Sequence, residues 1–112
     1  MVAKILRMTK IGNLMDKQGY IYIITNRYNS TLYIGVTSNL IKRIWEHKNK
    51  VVDGFSKKYN LDKLVYYEDC GNIESAISRE KFLKGKKRDF KNSLIESINK
   101  DWIDLYNEIQ VS

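Results

Sequence analysis

Two tyrosines, an arginine, a histidine and a glutamate stand at spacings that could bring them to one site. Tyr22 and Tyr33 lie eleven residues apart, on two stretches whose composition predicts paired strands. Arg43 and His47 are four residues apart on a predicted helix, so they share one of its faces. Arginine suits phosphate oxygens, and a neutral imidazole can take a proton near pH 7. These residue types therefore indicate chemistry on a phosphate group.

Glu80 is the candidate metal ligand. It lies on a later predicted helix, and its spacing from Ala76 and Leu83 puts it near the buried side of that helix. A carboxylate in such a place needs a partner, which a metal ion would supply. Magnesium takes few protein ligands, keeps several waters and bridges to phosphate oxygens. One carboxylate is therefore enough for such a site.

A predicted hairpin and helix must position the first four of these residues. Residues 20–25 and 31–36 are rich in β-branched and aromatic side chains and predict an antiparallel hairpin around the polar turn 26–30. Gly35 shares a face with Tyr33 on the second strand. Because it lacks a Cβ, Gly35 would let a backbone or a phosphate come close, which makes it a candidate substrate-binding residue.

The helix after the hairpin is expected to begin at Ser38, as its N-cap, and to run to about Lys48. Residues 50–60 then predict a mixed loop with a short helical turn. Function concentrates in long loops, and Ser56 and Lys57 could touch a substrate there. We retain Lys57 as a candidate substrate-binding residue.

The rest of the chain predicts one more strand and then helices. The strand is expected at 64–68, and the helical segments at 72–84, 88–99 and 101–107. Asn72 is the expected cap of the first of these, and Trp102 and Leu105 should pack the last one. The order ββα-β-αα predicts an α+β fold, with a three-stranded antiparallel sheet flanked by helices.

Length and composition bound the molecule. A chain of 112 residues predicts one domain, at 19–107, preceded by a poorly ordered basic arm at 1–18. The periodic pattern begins just after Met15, which is an alternative start of translation. The single cysteine, Cys70, cannot form an internal disulfide, and packing is the commoner fate of a free thiol. No apolar run is long enough to cross a membrane, so we expect a cytoplasmic protein.

The charge balance favours a polyanionic partner. Lysine and arginine number 20 against 13 acidic residues, giving a net charge of +7. The cluster Lys84, Lys86, Lys87 and Arg88 has two interpretations, which can both hold. In one, it complements the negative end of a helix. In the other, it binds the backbone of a nucleic acid.

The motifs now resemble a known family. Tyr20-Ile21-Tyr22 and, after ten residues, Tyr33-Ile34-Gly35 resemble the two half-motifs of the GIY-YIG nuclease superfamily. The likeness continues through residues 35–40, Arg43, His47 and Glu80, and covers roughly residues 19–106. It is greatest for the small stand-alone bacterial branch. It extends to the catalytic domains of the excision-repair incision subunit and of GIY-YIG homing endonucleases. One departure is Tyr20, which stands where the superfamily name has glycine, while Gly19 comes one position early.

The resemblance implies hydrolysis of a phosphodiester with a single divalent ion, Mg²⁺ or Mn²⁺, held by Glu80. It places Tyr22 or Tyr33 beside the attacking water, one of them as general base with help from His47, and leaves open which. Arg43 would stabilise the charge that develops on the phosphate. The family often has a further polar group after the glutamate, and Asn92, twelve residues on, is the candidate.

We therefore expect a metal-dependent DNA endonuclease, with repair, recombination, mobility and restriction all open as its role. RNA is not excluded as a substrate, and the preferred DNA structure is open. We expect a monomer or weak dimer without a small-molecule cofactor. The alternative is a catalytically silent nucleic-acid-binding module on the same fold, and a third interpretation is a plain interaction domain. The third predicts no DNA binding at moderate salt.

Overall fold

The computed structural model describes residues 18–110, so the predicted arm lies outside the described residues except for Gln18. Its elements, in chain order, are β1 (Tyr20–Thr25), β2 (Leu32–Thr37), α1 (Leu40–Lys48), α2 (Phe55–Lys58), β3 (Lys63–Asp69), α3 (Ile73–Lys84), α4 (Arg88–Ile98) and α5 (Tyr106–Gln110). The predicted α+β class and the three-stranded antiparallel sheet are confirmed.

The sheet has the strand order β2-β1-β3, so the first strand of the chain lies at its centre. Tyr22 faces Gly35 on β2 and Tyr67 on β3 in the two antiparallel registers. The hairpin loop is closed by the Asn26 side chain, which accepts hydrogen bonds from the backbone N–H groups of Tyr28 and Ser30. Such a side-chain turn is a common use of asparagine.

Alternation along β1 divides the core into two clusters, one on each face of the sheet. Ile21 and Ile23 face one side, where α3 packs on β1 and β2 and α4 packs on β3. Tyr22 and Ile24 face the other side, which α1 and α5 cover. Burial of apolar side chains on both faces stabilises the sheet as a middle layer. It also places Tyr22 against α1, the helix that carries Arg43 and His47.

Asn39, and not Ser38, caps the start of α1. The Asn39 side chain accepts a hydrogen bond from the backbone N–H of Lys42 at 3.1 Å, and its own backbone is extended. Ser38 lies one residue too early and is exposed. The helix still ends at Lys48, and the Asn72 cap of α3 is confirmed by its bond to the N–H of Ser75.

The helix predicted at 101–107 is wrong, because the last helix described runs from Tyr106 to Gln110. The preceding segment is irregular, with Trp102 at a φ of 56°. Its backbone bonds to β3 instead of to itself, since the N–H of Leu105 donates to the Leu64 carbonyl at 2.8 Å. The expected packing of Trp102 and Leu105 is nevertheless present, and both are buried.

Gly19, the glycine that comes one position early in the first half-motif, is required by close packing. A Cβ at this position would overlap the backbone carbonyl of Asn72, at the point where α3 begins. The Gly19 carbonyl also accepts a hydrogen bond from the N–H of Cys70 at 2.7 Å. The glycine therefore lets β1 pass directly under the start of α3.

Cys70 lies beside this crossing and packs against the core on the α3 side. Burial raises the pKa of its thiol, which favours packing over nucleophilic chemistry. None of the helices within residues 18–110 has the length and apolar character that crossing a membrane requires.

Candidate active site

A chain of three hydrogen-bonded side chains links the hairpin to α1 and α2. The Tyr22 hydroxyl lies 2.9 Å from Nε2 of His47, and Nδ1 of His47 lies 2.9 Å from the hydroxyl of Ser56. All three side chains are buried. If Tyr22 donates to Nε2, the proton of the neutral ring is on Nδ1 and is donated to Ser56. The two partners therefore fix the orientation of the imidazole, and the directions of the two hydroxyl hydrogens set its tautomer.

Gly35 makes room for Tyr22. A Cβ at position 35 would overlap the ring and hydroxyl of Tyr22, which lies across it from the neighbouring strand. The space that the glycine creates is thus filled by the protein itself. Gly35 shapes the site through Tyr22, and its direct contact with a substrate stays a prediction.

Burial keeps the Tyr22–His47 pair neutral in the free protein. It raises the pKa of the Tyr22 hydroxyl, and the neighbouring Tyr33 and Glu80 act in the same direction. Burial, together with the positive charge of Arg43, lowers the pKa of His47 to about 4. The imidazole is therefore a neutral proton acceptor across the physiological pH range.

Tyr33 lies beside this pair but is half-exposed. Its ring centroid is 6.4 Å from that of Tyr22 and 6.1 Å from that of His47. The two tyrosines of the half-motifs thus meet, as their placement on paired strands predicts. Tyr22 is covered and bonded within the protein, whereas Tyr33 presents part of its ring to solvent.

Arg43 lies one turn before His47 on α1, with a side chain that is 39% exposed. Its Nε is 3.5 Å from the Glu46 carboxylate, a surface ion pair of small strength. Its positive charge lowers the pKa values of both Tyr22 and His47, so it acts on the buried pair. The guanidinium is therefore available to an anion that enters beside these residues.

Glu80 reaches the same region from the other face of the sheet. Its helix, α3, packs on β2, which is an edge strand of the described sheet. Glu80 bonds to Lys84 at 3.1 Å, and the Lys84 amine lies 5.8 Å from the centroid of the Tyr33 ring. The adjacent Arg79 points away and pairs with Glu68 at 2.9 Å. Glu80 is thus separated from the charge next to it in sequence and paired with Lys84, whose amine lies beside the Tyr33 ring.

The donor set around Glu80 fits a magnesium-type ion. Its carboxylate is 20% exposed, so it can exchange the lysine for a cation. Residues 18–110 contain no cluster of three or more histidine, cysteine, aspartate or glutamate side chains of the kind that zinc requires. A single carboxylate beside a place for a phosphate matches a hard ion that keeps most of its waters.

Arg88 is bonded to the hairpin loop and to Asn92, and the role of both residues in substrate binding stays a prediction. Arg88 donates to the backbone carbonyls of Asn29 and Ser30 in the hairpin loop, at 2.6 and 3.0 Å. It also donates to the Asn92 side chain at 2.8 Å. These bonds tie the start of α4 to the hairpin loop.

The four lysines predicted to bind substrate lie in different surroundings. Lys84 lies at the site, in the last turn of α3, so both interpretations of the basic cluster apply to it. Lys86 lies over the exposed rings of Phe82 and Phe90, and Lys87 is exposed before α4. Lys57, on α2, pairs with Asp53 at 3.4 Å.

The sequence argument undervalued Ser56. A single serine in a loop carries no periodic signal, and only its contact with His47 shows what it does. The available clue was the predicted helical turn within residues 50–60, which the structure places at α2 and on which Ser56 is the buried residue.

A family model described as the GIY-YIG catalytic domain matches residues 18–93, which include all five residues discussed above. The chain belongs to the GIY-YIG family. A UPF0213 protein of Clostridium perfringens is 38% identical over 78 residues, covering 70% of this chain and 83% of the relative. UPF0213 proteins of Streptococcus pneumoniae and Desulfotalea psychrophila are 31% and 27% identical, covering 78% and 81% of this chain and 86% and 84% of theirs.

These relatives confirm the resemblance of this GIY-YIG chain to small bacterial members, although their names state no activity. No solved structure matches the chain.

Proposed function

We propose that this GIY-YIG protein is a divalent-metal-dependent endonuclease that hydrolyses phosphodiester bonds in DNA. One observation carries the proposal: four separate elements, β1, β2, α1 and α3, bring side chains together around one edge strand, namely Tyr22, Tyr33, Arg43, His47 and Glu80. A merely structural role would not require a buried tyrosine–histidine pair, a partly exposed guanidinium and an exchangeable carboxylate at the same place.

The charges of the site favour a phosphodiester as substrate. Arg43 lies on one side and Lys84 on the other, and the net charge of +7 attracts a polyanion to the whole molecule. In the proposed complex, Arg43 stabilises the negative charge that grows on the phosphate oxygens. Lys84 leaves Glu80 and pairs with a phosphate of the strand.

Glu80 would hold the ion, and the exposed side of its carboxylate is where the ion would enter. A bound divalent ion supplies Lewis-acid polarisation of the phosphate and a template for the leaving oxygen. Mg²⁺ and Mn²⁺ both suit one carboxylate ligand supplemented by water.

The two tyrosines have different roles towards the attacking water. Tyr33 is half-exposed and orients the water by a hydrogen bond from its hydroxyl. Tyr22 accepts the proton of the water at its oxygen while passing its own proton to Nε2 of His47, along the 2.9 Å hydrogen bond. Since the pKa of His47 is about 4 in the free protein, the negative phosphate must be present to hold that proton. The relay is thereby coupled to substrate binding.

The proposal also covers the protein's location, its oligomeric state and its pathway. The enzyme acts in the bacterial cytoplasm, as a monomer or weak dimer without a small-molecule cofactor, in repair or recombination. DNA is the proposed substrate because the motif set is that of the GIY-YIG family, with RNA as the comparison.

The test is cleavage of a panel of labelled DNAs: duplex, single strand, flap, branched junction and supercoiled plasmid, together with one RNA. Each is incubated with Mg²⁺, with Mn²⁺ or with a chelator. We expect metal-dependent cutting by the native protein and a loss of at least roughly 100-fold in Glu80→Ala and Arg43→Ala.

Matched controls separate the site from general charge effects. Glu74→Ala removes another exposed carboxylate of α3, and Arg27→Ala removes an exposed arginine of the hairpin loop, so both should cut at nearly the native rate. If no nucleic acid is cut under any metal while binding persists, the protein is the silent binding module instead. If Glu80→Ala and Arg43→Ala cut like the native protein, the assigned site is wrong.

A further inference from the structure

Two exposed aromatic rings lie next to the candidate active site, and the mechanism above does not use them. Phe55 and Tyr59, which we call the aromatic platform, stand one turn apart on and just after α2. They are 47% and 42% exposed, and their ring centroids are 4.7 Å apart. Large exposed aromatic side chains that touch each other bury little surface, so folding alone does not account for them.

The platform continues directly from the catalytic tyrosines. The Phe55 ring stacks beside that of Tyr33, with centroids 6.3 Å apart and 28° between the ring planes. Tyr33 in turn lies 6.4 Å from Tyr22. The four rings thus form a row that begins in the buried core, passes the place proposed for the scissile phosphate and ends in solvent.

The segment that carries the platform is held firmly. Ser56 lies between the two rings in sequence and points inward to the His47 hydrogen bond. Leu61, just after the platform, is buried in the core on the α1 side, and its N–H donates to the Ser56 carbonyl at 2.8 Å. The aromatic rings are therefore presented outward from a fixed backbone, as a binding surface requires.

The charges around the platform fit a nucleic-acid strand. Lys58 lies 5.4 Å from the centroid of the Tyr59 ring, and Lys84 lies 5.8 Å from that of Tyr33. Rings that stack on bases, interleaved with amines that meet phosphates, are the usual composition of a single-strand-binding surface. A base within an intact duplex already has both faces stacked on its neighbours, so only an unpaired base can lie on the platform.

We propose that Phe55 and Tyr59 form a stacking site for an unpaired nucleobase beside the scissile phosphate. The enzyme therefore prefers single-stranded or locally unpaired DNA to intact duplex. This inference rests on the proposed nuclease function, because it assigns the substrate class of that same site.

The experiment measures binding without cleavage. A DNA strand carrying the fluorescent base 2-aminopurine is titrated with the full chain in chelator, alone and annealed to its complement. Stacking on an aromatic ring quenches this base, so we expect quenching of the single strand by the native protein. Phe55→Ala and Tyr59→Ala should each lose the quenching and bind the single strand roughly tenfold more weakly, with duplex affinity changed less than about twofold.

Two control variants separate stacking from packing. Phe55→Trp keeps an aromatic face and should retain both the quenching and the affinity for the single strand. Phe90→Ala removes an exposed aromatic ring that contacts Phe82 instead of Tyr33, and it should bind like the native protein. The native protein by itself already tests the proposal. If it leaves the fluorescence of 2-aminopurine in the single strand unchanged, the proposal is overturned, whatever the variants do.

The experiments can separate failure of the stacking site from failure of the nuclease proposal. Cleavage by the native protein, with Phe55→Ala and Tyr59→Ala affecting single strand and duplex alike, would overturn the stacking site and leave the nuclease in place. Quenching that depends on Phe55, with no cleavage under Mg²⁺ or Mn²⁺, would support the stacking site on a silent binding module.

Discussion

His47 is 3% exposed and bonded on both ring nitrogens, so folding fixes it in its neutral form. Neither partner is a carboxylate that would favour the protonated ring. The nearby guanidinium of Arg43 disfavours protonation further. A histidine in this environment affects both stability and chemistry, and the two effects can be measured separately.

The stability of the protein should fall as the pH is lowered from about 6.5 to about 4. The pKa of His47 is about 4 when folded and 6.5 as its ordinary value, so above pH 6.5 both states are neutral and its contribution is complete. Below that pH the unfolded chain takes up a proton that the folded chain does not, and the free energy of unfolding decreases. At about 1.4 kcal/mol per pKa unit, the loss approaches about 3 kcal/mol near pH 4.

Urea unfolding at pH 7, 6, 5 and 4.5 measures this slope. His47→Gln lacks the titrating group and should show a flatter dependence over the same range. The same slope in both proteins would mean that carboxylates, not His47, govern the acid sensitivity.

Ser56→Ala should reduce cleavage by roughly tenfold, because it removes the acceptor that fixes the Nδ1 proton of His47. The mechanism needs Nε2 free to accept from Tyr22, which requires that tautomer. ¹⁵N chemical shifts of the ring report the tautomer directly, and they should change together with the rate. Ser38→Ala, at an exposed serine, is the matched control. Unchanged shifts and an unchanged rate would remove Ser56 from the site.

At the scale of elements, the hairpin is where the two half-motifs depend on each other. β1 and β2 pair so that Tyr22 lies across Gly35, and the ring fills the place of the missing side chain. The glycine is thus required by the opposite strand and not by its own turn. The same holds for Gly19, whose missing Cβ is required by the start of α3.

Gly35→Ala should displace the Tyr22 ring and therefore its hydroxyl from His47. Overpacking of this kind typically costs about 1–3 kcal/mol of stability, and cleavage should fall at least roughly tenfold. Gly85→Ala is the matched control, because a Cβ there meets no atom closer than 3.6 Å. Denaturant unfolding and cleavage are measured on both variants. An active, fully stable Gly35→Ala protein would show that the ring has another place to go.

At the scale of the whole molecule, the net charge of +7 predicts DNA binding that weakens steeply with salt. The lysines are unequal, however, since in the proposed complex those near the site contact the strand and those near β3 do not. Lys58 lies beside the aromatic platform. Lys100 follows Asn99, whose side chain donates to the Val65 carbonyl on β3, the strand at the opposite edge from β2.

Lys58→Gln should lower the slope of log affinity against log salt concentration by about one, the share of one phosphate contact. Lys100→Gln changes the net charge by the same amount and should leave the slope nearly unchanged. Fluorescence titrations of a labelled DNA strand at several salt concentrations, in chelator, give the two slopes. Equal decreases in both variants would indicate binding by overall charge rather than by a defined surface.

Much of the fold could be read from local pattern. The alternation and β-branched residues of 20–25 predicted β1, and the apolar periodicity from Leu40 predicted α1 to its last residue. The cap at Ser38 was wrong because the neighbouring Asn39, also a good capping residue, accepts the bond from the Lys42 N–H. The helix at 101–107 was wrong because the Leu105 N–H bonds to the distant Leu64 carbonyl, which local propensity does not contain.

Local sequence pattern was enough to identify the chemical groups and the elements that carry them. Spacing along strands and helices is a local property, so it placed Tyr22 and Tyr33 on neighbouring strands and Arg43 and His47 on one helix face. Tertiary structure alone decided which groups are free. Arg88 and Asn92 are occupied by the hairpin and by each other, whereas Ser56 is brought to His47 and Phe55 to Tyr33. Such contacts depend on where distant elements pack, and spacing along the chain does not contain that information.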